Sequence, residues 1–176
     1  MTIYEFEGKL PDIGEATYIF PSADVIGDVR VGEHCYIGPG ARIRGDYGTV
    51  IIGRGSSIED NCVIHARPGE TCTIGNKVTI GHGSVIHNCK INDFAVIGMG
   101  SVVSDYADVG TWAVIAEGAV VKNKSMIPDR CIAAGIPAKV IGSINEKYVK
   151  TWTGFKEIYE DLAARRYPTS LKKLVQ

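Results

Sequence analysis

Sixteen Ile or Val residues recur along this chain with a basic period of six, and that period decides what it can fold into. They stand at positions 25, 31, 37, 43, 52, 58, 64, 74, 80, 86, 91, 97, 103, 109, 115 and 121. The steps that are not six are nine (43 to 52), ten (64 to 74) and five (86 to 91). Two residues before each stands a small or slim side chain, from Ala23 and Val29 to Ala113 and Ala119. A period of six fits neither a 3.6-residue helix nor a hairpin stack. It fits short parallel strands, one per hexad, in which the Ile or Val and its i−2 neighbour share the inward face. Three hexads close a triangular coil, so the sixteen rungs predict about five coils of an all-β solenoid. Gly follows the rung at 32, 38, 53, 75, 81, 98 and 110, where it is expected to supply the turn through its tolerance of positive φ.

The repeat absorbs Cys35, Cys62, Cys72 and Cys89 as small inward residues, a place where cysteine acts as a compact hydrophobe. Cys131 lies beyond it. Five cysteines without CxxC spacing argue against a disulfide framework or a zinc ribbon. The predicted organisation is an N-terminal arm at 1–16, the β-helix at 17–140, and a C-terminal helix and tail at 141–176. The segment 135–141 (Gly-Ile-Pro-Ala-Lys-Val-Ile) reads as an extended crossing. Ile144, Tyr148, Trp152, Phe155, Tyr159 and Leu162 then fall at helical spacing, placing an amphipathic helix at about 144–166. Net charge is −1, which argues against nucleic acid or an anionic membrane as the main partner. No apolar run is long enough to span a bilayer and the first residues lack signal-peptide form, so a reduced, cytoplasmic protein is expected.

Chemistry is expected where the repeat carries polar residues. Arg44, Glu59, His65 and His87 each follow a rung residue. Rungs 43, 64 and 86 are three steps apart, so Arg44, His65 and His87 should stack on one face, about 4.8 Å from coil to coil. Asp60 and His82 sit two residues after rungs 58 and 80 and should stack on the preceding face. Three of the four histidines fall in this window. Three neutral imidazoles with one open position form a catalytic rather than a structural zinc site, and three nitrogen ligands also suit Co2+ or Fe2+. Two faces of a prism diverge at their shared edge. One ion is therefore reached most easily by His65 and His87 of one chain and His82 of the next, a relation that closes as a ring of three subunits.

The segments Ile43-Arg44-Gly45-Asp46, Glu59-Asp60-Asn61-Cys62-Val63-Ile64-His65, Ile80-Gly81-His82 and Ile86-His87, together with Gly-Ile-Pro-Ala-Lys, resemble the gamma-class carbonic anhydrase family. Its relatives include hexapeptide proteins of phenylacetate and carnitine operons and those labelled ferripyochelin-binding. The resemblance implies a left-handed parallel β-helix and a homotrimer. It implies metal ligation by His65, His82 and His87, an interface ion pair of Arg44 with Asp46, an acid beside the ligands at Asp60, and a tyrosine reaching the site at Tyr159. Glu59 stands where the family usually has Gln, so its carboxylate is expected to accept the same hydrogen bond, act as a base, or repel hydroxide. The acidic proton-exporting loop of the founding type is missing. Within 66–71 only Glu70 is acidic, and a mobile surface carboxylate is expected there. The activity implied is reversible hydration of CO2 to bicarbonate on Zn2+. The alternatives are a coenzyme A thioester hydrolase or acyltransferase, for which no phosphate-binding signature is evident, and a catalytically weak trimeric scaffold.

Overall fold

A computed structural model describes residues 2–174; residues 1, 175 and 176, which the expected arm and tail include, lie outside it. The chain forms a left-handed parallel β-helix of about seven turns with a C-terminal helix. Its three faces follow from the rungs. Val25, Ile43, Ile64, Ile86, Val103 and Val121 pair in register down the first face. Val31, Ile52, Ile74, Ile91, Val109 and Ile127 pair down the second. Ile19, Ile37, Ile58, Ile80, Ile97, Ile115 and Ala133 pair down the third. Every Ile and Val of the sequence pattern is buried, and so is every small residue two positions before it. The inward hydroxyls of Ser56, Ser84 and Ser101 donate to Gly75, Gly98 and Ala116 carbonyls of the next coil, so these polar groups are buried with partners.

The solenoid is longer at both ends than the sixteen rungs suggest. The segment expected as an N-terminal arm carries strands Thr2–Tyr4 and Asp12–Ile13, which pair in parallel with Asp24–Val31. It lies on the helix as its first coil, and its loose hexad spacing hides it. After Val121 the coils continue through Met126–Ile127 and Cys131–Ala134. The expected crossing turns back as Lys139–Ser143, antiparallel to Cys131–Ala134.

The glycines after the rungs act differently from the expectation. Positive φ falls three residues after the rung, as at Gly83 and Asn61. A Cβ on Gly81 would stand 2.8 Å from the Ile97 carbonyl oxygen, and one on Gly53 would stand 2.5 Å from the Gly75 carbonyl carbon. These positions need glycine because neighbouring coils approach so closely. On the first face the residue after the rung is never glycine: it is Ile26, Arg44, His65, His87, Ser104 or Lys122. All three irregular steps, 43 to 52, 64 to 74 and 86 to 91, cross this same corner from the first face to the second.

The C-terminal helix spans Glu146–Asp161, shorter than 144–166, with Asn145 capping it by accepting from the Tyr148 amide. A π turn, Leu162–Arg166, and a short helix, Tyr167–Ser170, follow. The segment runs back along the third face, where Tyr159 packs on Tyr36 and Tyr167 stacks on Tyr18. Its inward stripe departs from the expected one. Phe155 is 49% exposed, while Lys156 is buried. Ile115 is fully buried on the third face, two coils beyond the Ile80 rung that precedes His82. Ile115→Ala is expected to cost about 2–5 kcal/mol, read as a lowered denaturation midpoint in a urea titration, with the β-sheet signal retained in the folded state.

Candidate functional site

The corner between the first and second faces gathers the polar side chains. The register is as the spacing requires: Arg44 pairs with His65 and His65 with His87. His65 Nε2 lies 2.9 Å from Asp46 Oδ1, and Arg44 Nε lies 3.1 Å from Asp46 Oδ2. The Arg44–Asp46 pair therefore closes within one chain. Burial raises the Asp46 pKa, but the His65 hydrogen bond and the Arg44 charge outweigh it, and the carboxyl sits below its ordinary range. His87 Nδ1 is hydrogen-bonded to Asp105, and Arg67 grips the same carboxylate through Nε at 2.8 Å. In neutral rings that donate to these carboxylates, the remaining nitrogens, His65 Nδ1 and His87 Nε2, carry lone pairs. Those two nitrogens face each other at 3.3 Å.

This separation matters chemically. Two nitrogens each about 2.0–2.1 Å from a tetrahedral ion lie about 3.3–3.4 Å apart. His65 and His87 thus fit two ligands of one ion, with carboxylate partners of the kind that orient metal-bound imidazoles. His82 sits elsewhere. Its Nε2 lies 2.7 Å from Glu59 Oε2 and its Nδ1 accepts from the Asp60 amide at 3.3 Å. Asp60 places a carboxylate oxygen 3.6 Å from the same nitrogen. Both His82 nitrogens are engaged within the chain, so ligation would require exchanging Glu59 for the ion. Among the described residues of one chain, no three His, Cys, Asp or Glu side chains converge on a metal position.

Glu59 is buried, and Tyr159 of the C-terminal helix stands near enough that the two groups shift one another's pKa. Burial raises the Glu59 pKa, opposed by His82 and Tyr159; burial and the Glu59 charge raise that of the Tyr159 hydroxyl. Glu70 is tied rather than mobile: Tyr106 donates to it at 2.8 Å and Asn88 at 2.5 Å, and those bonds hold its pKa below the ordinary carboxylate value. Asp105, Arg67 and Asn88 were not singled out in the sequence. Asp105 stands two residues after rung 103, one coil beyond Asn88 at the same offset from rung 86. Reading the column two residues after the rung, through Asn88, would have found it.

Beside His82 a groove of about 560 Å³ runs down the third face, from Glu59 and Gly81 past Val96 and Val114 to Trp152 on the C-terminal helix. No described helix is long and apolar enough to cross a membrane.

Coiled faces of stacked hexads with a polar corner define a hexapeptide-repeat β-helix protein. Residues 11–45 match the bacterial transferase hexapeptide (six repeats) family. The carnitine operon protein CaiE of Escherichia coli (strain K12) is 35% identical over 165 residues, which cover 94% of this chain and 84% of CaiE. A Bacillus cereus structure provisionally described as an acetyltransferase superposes with a TM-score of 0.92 at 34% identity, covering 97% of this chain and 98% of that one. A hexapeptide transferase family protein of Anaplasma phagocytophilum gives 0.87 at 31%, covering 92% and 96%. The chain belongs to this hexapeptide-repeat transferase family, together with CaiE.

Lys156 was also not anticipated. Its ammonium lies 3.1 Å from Thr79 Oγ1 and 5.8 and 5.7 Å from the centroids of Trp112 and Trp152. Burial pushes its pKa down from 10.5 to about 7, against the pull of Glu59, with Lys77 adding to the depression. Between those values the unfolded chain holds a proton that the folded chain has released, so this group makes stability rise with pH across that window. The slope is at most about 1.4 kcal/mol per unit. Lys156→Met should remove it. Urea titrations at pH 7, 8 and 9 and fixed protein concentration are expected to show the wild type gaining on the variant as pH rises.

Proposed function

We propose that this chain works as a trimer that activates water at the corner of His65 and His87 and directs it at a carbonyl carbon, with CO2 as the substrate. The observation that carries this reading is the pair of facing ring nitrogens, 3.3 Å apart, on rings whose other nitrogens are held by Asp46 and Asp105. The donor set suits Zn2+, with Fe2+ or Co2+ as further options. When bound, such an ion lowers the pKa of its water to about 7. Asp46 and Asp105 hold the ring tautomers, and Arg44 balances Asp46. Glu59, once His82 is drawn away, keeps Tyr159 as a partner and offers a buried carboxylate to take a proton.

In this reading His82 arrives from a neighbouring subunit. Val63 and Val85, each 38% exposed, point outward on the first face with Val102 and Val120 in the same column. The groove beside His82 is apolar along most of its length. A neighbour's valine column seated there would carry its His65 and His87 towards this chain's His82.

A second reading is acyl transfer from, or hydrolysis of, a coenzyme A thioester. The comparisons weigh towards it: one relative is a carnitine operon protein and two structures carry transferase descriptions. The third face supports it too, because His82 and buried Glu59 form an imidazole–carboxylate pair at the mouth of the groove, the makings of a general base. The two readings give the groove different occupants, a subunit or a substrate.

The discriminating experiment measures CO2 hydration and acetyl-coenzyme A turnover on protein reconstituted anaerobically with Zn2+, Fe2+ or Co2+, and on stripped protein. The proposal expects hydration that His65→Ala and His82→Ala each abolish together with stoichiometric metal. Mixed trimers of those two variants should recover part of both. Acetyl-coenzyme A turnover that persists in stripped protein and in His65→Ala but is lost in His82→Ala would establish the second reading instead. Glu59→Gln is expected to keep hydration within severalfold if the carboxylate only accepts a hydrogen bond. A fall of about a hundredfold or more would assign it the proton.

A further inference from the structure

We infer that Asp105, braced by Arg67, is a positioning residue that fixes His87 in the Nδ1–H tautomer and so aims Nε2 at the space shared with His65; the inference rests on the ligation reading above. Asp105 is 9% exposed, and its two oxygens divide their work. Oδ1 meets His87 Nδ1, and Oδ2 receives Arg67 Nε at 2.8 Å and Nη2 at 2.5 Å. Two guanidinium N–H groups converge on Oδ2, pinning that oxygen with charge-assisted bonds and leaving Oδ1 to the imidazole. Arg67 itself is held in place, since its amide donates to Asn88 Oδ1 at 3.2 Å and the far end of its loop is tied through Glu70 to Asn88 and Tyr106. Arg67 comes from the long step between rungs 64 and 74. That insertion therefore has a job: it reaches across to Asp105, which follows rung 103, and locks the imidazole lying between them in the stack.

The test reads the ring first and the metal second. In metal-free wild type carrying 15N-histidine, the His87 nitrogens are expected to report the Nδ1–H form. Asp105→Ala should shift them towards Nε2–H or an exchanging mixture, and should weaken zinc binding about 10–100-fold in chelator competition. Asp105→Asn, whose amide oxygen can still accept from Nδ1–H, should rescue much of the tautomer signal, and Arg67→Met should fall between Asn and wild type. An unchanged tautomer and zinc affinity within twofold of wild type in folded Asp105→Ala would overturn the inference. If Asp105→Ala does not fold, Asp105→Asn and Arg67→Met carry the same readouts, and wild-type behaviour in both would overturn it. Should wild type take up no zinc, the ligation reading fails separately, while the metal-free tautomer measurement still decides the role of Asp105.

Discussion

Every property of this molecule hangs on the register between successive coils. An inward Ile or Val is buried over its counterpart one coil earlier, and each such burial is worth about 1.5–3 kcal/mol. A slip of one residue would turn a whole rung to solvent. In-register stacking also governs the outside: whatever follows a rung residue is held over whatever follows the rung below. His65 is thus fixed against His87, and Arg44 against His65, by isoleucines that touch neither. At corners where backbone meets backbone, as at Gly53 and Gly81, no side chain fits. The corner after the first face carries side chains in every coil and takes all three irregular steps. Polar side chains collect there because that edge has room for both side chains and insertions.

The solenoid's middle, its three faces and both polar columns were legible because burial repeats at a fixed offset, and a fixed offset is visible in one dimension. Register stacked Asp60 with His82 but gave no sign of the Glu59–His82 contact, and Tyr159 was singled out only by resemblance. Residues that meet across irregular steps were not legible. Arg67 and Asp105 are 38 positions apart and come together only because a ten-residue step bends one loop towards the next coil. Lys156 was hidden for another reason. A lysine on an apolar stripe reads as an interruption, and the reading passed to Phe155, whereas two indole faces and a threonine hydroxyl receive the amine end while burial favours release of its proton. The first coil escaped notice because its strands are spaced too loosely to show the hexad.

The two polar columns are in different electrostatic states. At His82 the chain is self-sufficient: Glu59 and the Asp60 amide occupy both ring nitrogens. At His65 and His87 two carboxylates, each partnered by an arginine, hold the outer nitrogens and leave the inner ones facing each other. Two lone pairs at 3.3 Å repel, and a cation between them relieves the arrangement. In the reading proposed above that cation is the metal ion: by taking the outer N–H groups, Asp46 and Asp105 leave the inner pair free for it, and His82 of another subunit would join them only by giving up Glu59.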